Sequence, residues 1–209
     1  NKMKKKYKLQ LRVLILLIIL IIALICFKTF KKETKNNVKV VDSIDNYGYT
    51  LDQRDSKLMK DTYKKLKEIL NEKEIDYDKY AEELAKLFVI DLFTINNKIN
   101  KYDVGSLEYV YPDNVENFKT NVEDTIYKIV EDNTKGKRKQ ELPIVSSVNI
   151  EEETNGEYEL SDVQNKSYIV KLKWTYEKDM GYDSNAIITL IEKDNKLYVV
   201  EYSKGEENE

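Results

Sequence analysis

The stretch YIVKLKWTYE, residues 168–177, decides the class of fold. Tyr168, Val170, Leu172, Trp174 and Tyr176 occupy every second position, with Ile169, Lys171, Lys173, Thr175 and Glu177 between them. A period of two is that of a strand with one buried and one wetter face. Its neighbours continue the pattern. Met180-Gly181 turns the chain, Asn185 to Glu192 returns it, and Asp194-Asn195 makes a tight turn into a strand at Leu197 to Tyr202. Upstream, Ile144 to Glu153 reads as a further strand, Asn155-Gly156 as a two-residue hairpin turn, and Ser161 to Asn165 as a loop.

The first half has a different period. Asp55 or Ser56 can cap a helix with Leu58, Thr62, Leu66, Ile69 and Leu70 on one face, ending near Glu72. A second helix starts at Asp76 to Asp78 and carries Tyr80, Leu84, Leu87, Phe88, Asp91 and Leu92 at helical spacing. Its later part, LFVIDLFTI, is apolar nearly all round, so it is expected to be buried on more than one side. Asp103-Val104-Gly105 predicts a turn, and Leu107 to Tyr111 a short strand. Pro112 opens a third helix with the stripe Phe118, Val122, Ile126, Tyr127 and Val130. Helices followed by consecutive strands indicate α+β and not a parallel βαβ sheet.

This order of elements, over roughly residues 54–203, resembles the nuclear transport factor 2-like fold. That fold is a cone in which three helices pack on a curved antiparallel sheet. The chain is also similar to the membrane-anchored relatives of that fold, such as the inner-membrane assembly component of type IV secretion and conjugation machines. The stretch FVIDLFTINNKINKYDVGSLEYVY is similar to one found in uncharacterised membrane-anchored envelope proteins of Gram-positive bacteria. What the resemblance implies is one N-terminal transmembrane helix, one cone and no known activity.

Residues 13–27, VLILLIILIIALICF, are the chain's longest apolar run. Extended back to Leu9 it covers nineteen residues, or about 28 Å of helix at roughly 1.5 Å per residue, close to the roughly 30 Å of a bilayer core. Ala23 is the run's only small residue and no A-x-A follows it, so an uncleaved anchor is favoured over a cleaved signal. Bulky Ile25 before Cys26 argues against a processed lipoprotein. Residues 1–35 carry ten basic residues and one acidic, leaving 25 and 37 of the chain's 35 basic and 38 acidic residues downstream. The basic excess before the run keeps the N-terminus inside. The expected plan is a cytoplasmic tail (1–8), a transmembrane anchor (9–27), a tether (28–43), an extracytoplasmic α+β domain (44–204) and a disordered tail (205–209). The acidic domain argues against nucleic acid as a partner.

Chemistry is thinly represented. The chain has no His, its one Cys is Cys26, and its six Gly leave little room for phosphate-binding loops. No catalytic, cofactor-binding or metal-ligating residues are expected; Glu151-Glu152-Glu153 reads as a solvated charge run. Two groups merit attention. Asp91, Thr94, Asn97, Lys98 and Asp103 form a candidate polar cluster, with Asp91, Thr94 and Lys98 spaced to share a helix face. Its plainer role is to close the second helix onto the Asp103–Gly105 turn. Tyr168, Val170, Leu172, Trp174 and Tyr176 would line a pocket if the cone is open, and are core if it is filled. In ketosteroid isomerases, enzymes of the related fold, an Asp base works with acidic or phenolic donors, which Asp91 and these aromatics resemble only loosely. The sixteen Tyr are spread along every element, so they read as packing residues with wet hydroxyls and not as a sugar-binding patch. The expected function is a non-enzymatic domain that docks other envelope proteins, or itself, in a secretion, conjugation or wall-assembly complex. The alternative is a pocket for a small apolar ligand.

Overall fold

The computed structural model describes residues 39–205. A short hairpin comes first, β1 (Val40–Ile44) pairing antiparallel with β2 (Tyr49–Asp52). Two helices follow, α1 (Lys57–Leu70) and α2 (Tyr77–Phe93). Single 3-10 turns at Ile95–Asn97, Leu107–Tyr109 and Pro112–Asn114 lead to α3 (Val115–Asp124). The second half is a four-stranded antiparallel meander in the order β3 (Val145–Leu160), β4 (Val163–Tyr176), β5 (Asn185–Lys193) and β6 (Lys196–Lys204).

Local chemistry accounts for the helices. The Ser56 hydroxyl accepts the Met59 N–H at 3.1 Å, and the Asp76 carboxylate accepts that of Lys79 at 3.1 Å, so each cap satisfies a donor that its helix leaves unpaired. α1 buries one stripe, Met59, Thr62, Tyr63, Leu66 and Leu70. α2 is enclosed nearly all round, as its apolar run predicts, and packs against β3, β4 and β6. The inward face of β4 meets it. Tyr168, Val170 and Leu172 are inaccessible to solvent and Trp174 nearly so, with the Phe93 ring 5.0 Å from the indole and tilted by 35°.

The class is α+β, but the expected fold needs correction. Instead of one curved sheet there are two sheets, and among the described residues no helix is long and apolar enough to cross a membrane. The anchor expected at residues 9–27 lies outside the described residues, as do residues 206–209 of the expected tail. Leu107 to Tyr111 is not a strand of the sheet. It is a 3-10 turn followed by an isolated bridge from Val110 to Val199. α3 stops at Asp124, although Val122, Tyr127 and Val130 of its expected stripe are still buried.

The hairpin turn also moves. Ser161 and Asp162 take left-handed conformations (φ 53° and 62°), while Asn155 and Gly156 lie inside β3, opposite Tyr168 and Ser167. The register is set by core pairing, Val148 opposite Trp174 and Ile150 opposite Leu172. A one-residue slip would turn that apolar face to water, so the pairing determines where the turn falls. At Asp194 and Asn195 (φ 53° and 61°) the sequence signal and the structure agree.

Several tyrosine hydroxyls are buried, contrary to the expectation that they would be wet. Tyr80 Oη accepts the Leu197 N–H at 3.2 Å and lies 2.6 Å from Tyr49 Oη, which donates to Leu197 O at 3.0 Å. With Tyr49 committed as that donor, Tyr80 donates to Tyr49. The closed ring of three bonds ties β2, α2 and β6 together with every polar group satisfied.

Candidate functional site

The polar cluster forms where α2 ends. Asp91, in its last turn, receives the Lys98 ammonium on Oδ1 at 2.5 Å and the Ser106 N–H on Oδ2. The Ser106 hydroxyl donates to Phe88 O at 2.7 Å, and Ser106 itself is left-handed (φ 67°). Gly105 makes the approach possible, because a Cβ there would sit 2.5 Å from the Asp91 carbonyl oxygen. The side chains of Lys98 and Asp91 are 7% and 18% exposed. Burial, the largest single influence, pushes the Lys98 ammonium down, but the Asp91 carboxylate, Tyr127 and Asp103 together outweigh it, and the net shift is upward.

The other members are held by different partners. Asp103 Oδ2 accepts the Ile99 N–H and an Arg54 Nη1–H, both at 2.8 Å. The same Arg54 nitrogen reaches Asn97 O at 3.1 Å, and its Nη2 pairs with Asp52 at 3.0 Å. Thr94 Oγ1 accepts the Val145 N–H at 3.3 Å, away from Lys98. Because α2 ends at Phe93, Asp91, Thr94 and Lys98 do not share a helix face. The structure joins Asp91 to Lys98, and Asn97 to Asp103 through Arg54. Thr94 anchors the start of β3.

Two arginines that sequence reading did not single out complete the arrangement. Arg138 donates to Lys98 O at 2.9 Å and Asn96 O at 2.8 Å, and its Nη1 also reaches Glu131 O at 3.2 Å, which ties the segment to the chain around Glu131. Both arginines act across about forty residues of chain, and no local spacing signals such a contact. Asp55, nearby, accepts the Asp52 N–H at 2.6 Å. Desolvation, aided by the Asp91 charge, raises its carboxyl to about 6. These groups hold each other, and none of Asp91, Thr94, Asn97, Lys98 or Asp103 lines any of the three cavities described below.

The aromatic face of β4 is core. Tyr77 stacks on Tyr168 at 6.4 Å, and the Trp174 indole N–H donates to Tyr176 Oη at 2.8 Å. Trp174 and Tyr176 line a cavity of about 490 Å³ beside Tyr182 and Asp183 at the end of the sheet. A second cavity, about 610 Å³, lies between α1 and α2.

The third cavity, about 400 Å³, has a different character. Phe88 and Leu92 of α2, Phe118 and Val122 of α3, and Val199 and Tyr202 of β6 form its apolar wall. Phe118 and Tyr202 flank Phe88 at 5.6 and 6.3 Å. Asn114, Asn117, Asn121 and Glu201 stand at its edge. Amides both donate and accept, so this rim can orient a polar group while the wall desolvates an apolar one. Three Asn at i, i+3 and i+7 are readable in the sequence. Their opposition to β6 depends on the tertiary fold. Comparison with known proteins adds no relative: no family model, no curated protein and no solved structure matches this chain.

Proposed function

We propose that residues 39–205 form a non-enzymatic binding module that docks a partner protein, with the cavity between α3 and β6 receiving an apolar side chain. The observation that carries this reading is the division of labour in the fold. The buried ionisable groups around Asp91 are bonded to one another, whereas the surface offers an apolar wall rimmed by three asparagine amides and the Glu201 carboxylate. Interfaces draw affinity from such desolvated apolar centres inside a polar rim. A photo-crosslinking residue in place of Asn117, in the full chain, is expected to capture defined protein partners, and Asn117→Trp, which plugs the mouth, to reduce the partner's affinity. Capture of the same proteins from exposed Glu152 on the far face of the sheet would overturn the reading.

The volume of about 400 Å³ also suits a small apolar ligand, which is the second reading. Native mass spectrometry separates the two. A bound small molecule that Asn117→Trp displaces, with no protein captured, supports the second against the first.

A further inference from the structure

The closed end of the α1–α2 hairpin presents a surface that neither the Asp91 cluster nor the α3–β6 cavity uses. The last turns of α1, the connecting loop and the first turns of α2 bound the groove of about 610 Å³. Glu68, Glu72, Glu74, Asp76, Glu82 and Glu83 line it against two ammonium groups, Lys65 and Lys79, with Ile69 as its apolar floor. Asp76 is occupied, since it caps α2 and pairs with Lys79 at 2.9 Å. An exposed acidic face alone is only a solvated face.

Glu83 is different. The residue is 8% exposed. Its Oε1 takes the Lys86 ammonium at 2.6 Å, but Oε2 is buried and has no hydrogen-bond partner among the described residues. A buried charged acceptor left unpaired is destabilising, so its presence in a groove points to a donor supplied from outside. Among the described residues no set of three or more acidic, His or Cys side chains is arranged to hold a metal ion, which leaves an organic cation.

Guanidinium fits this surface better than ammonium does. Its planar fork can give one N–H to Glu83 Oε2 and others to the rim carboxylates, while its aliphatic stem lies on Ile69. The long-range field acts in the same direction, because residues 36–209 carry 37 acidic and 25 basic side chains. We infer that the α1–α2 groove receives an arginine side chain from a basic segment of a partner protein, with Glu83 Oε2 as its innermost acceptor. The inference shares with the binding-module reading only the existence of a protein partner, and it does not require the α3–β6 cavity to be filled.

The test is calorimetric titration of the full chain with the blocked peptide Ac-Gly-Arg-Gly-Arg-Gly-NH2 and its lysine and citrulline analogues. The citrulline peptide, isosteric and neutral, should bind at least about tenfold more weakly, and the lysine peptide several-fold more weakly. Glu83→Gln should weaken the arginine peptide about tenfold, and added salt should weaken it further. Because Glu83→Gln also disturbs the pair with Lys86, Lys86→Gln serves as the control. It breaks the same pair but keeps the carboxylate, so arginine binding should be retained or tightened. Asn117→Trp should leave peptide binding unchanged, which separates this inference from the proposed α3–β6 site. Wild-type affinity in Glu83→Gln, equal binding of lysine and arginine peptides, or equal loss in Lys86→Gln or in Glu152→Gln would each overturn it. So would displacement of the peptide by one equivalent of Ca²⁺.

Discussion

Replacing Lys98 with Met removes the ammonium from Asp91 and keeps most of the side-chain volume. In the native fold the Asp91 carboxylate has two donors, Lys98 Nζ on one oxygen and the Ser106 N–H on the other. The carboxylate of Asp55 is close enough to interact with it, so after the substitution the local charge is unbalanced as well as desolvated. Removing one partner of a buried pair costs about 3–5 kcal/mol, because the remaining charge is neither solvated nor neutralised. For a domain of this size that lowers Tm by roughly 6–20 °C. Asp91→Asn should restore much of the loss when combined with Lys98→Met. Its amide oxygen can still accept the Ser106 N–H, and no charge then needs compensating. The expected coupling between the two sites is about 2 kcal/mol or more. Urea unfolding followed by fluorescence measures it, since Trp174 is the chain's only tryptophan and lies in the core. If Lys98→Met costs less than about 1 kcal/mol, or the double variant loses the full sum of the singles, the cluster is not the buried closure described here.

Two further substitutions test other parts of the fold. Tyr80→Phe deletes the hydroxyl that links Tyr49 to the Leu197 N–H, leaving both without that partner, and should cost about 1–3 kcal/mol in the same urea assay. A loss of a few tenths would mean that the ring of bonds contributes little. Asp55 has its carboxyl raised to about 6 by desolvation, so the folded state binds the proton more tightly than the unfolded chain, and ionisation opposes folding. Its contribution therefore worsens as pH rises from about 4 to about 6 and is at its worst above that. Asp55→Asn should stabilise the domain at pH 7.5 by about 1–2 kcal/mol after allowance for partial solvent screening, and by nothing below pH 4. Chemical denaturation across that range, with a gain independent of pH, would contradict the assignment.

Much of the fold was legible because its signals are local. Alternation in β4, the helix starts at Asp55 or Ser56 and at Asp76 to Asp78, and the all-round apolar stretch in α2 each act within a turn or a few strand positions. The failures have a common cause. Asn155-Gly156 is a strong turn signal, but the cross-strand pairing of Val148 and Ile150 with Trp174 and Leu172 buries more apolar surface, so the turn moves to Ser161-Asp162. Leu107 to Tyr111 has strand-like residues, but its backbone pairs with β6 through the isolated bridge from Val110 to Val199 instead of a ladder. The polar residues between Asp91 and Asp103 were recognisable as a group, and Gly105 as part of their turn. Arg54 and Arg138, which hold that segment, were not, because each contact spans about forty residues.

The sequence by itself determined the α+β class, the central segments of the four meander strands, and the absence of histidine and of any cysteine beyond Cys26. Those properties follow from composition and from periodicities that backbone geometry imposes on neighbouring residues. Only the tertiary structure decided that the β4 aromatics are core, that Asp91 is neutralised by Lys98, and that an asparagine rim faces β6 across an apolar cavity. It also decided that one oxygen of Glu83 is buried without a partner among the described residues. Each of these depends on which distant segments exclude water together. That is settled by the competition among all possible burials, which no local pattern encodes.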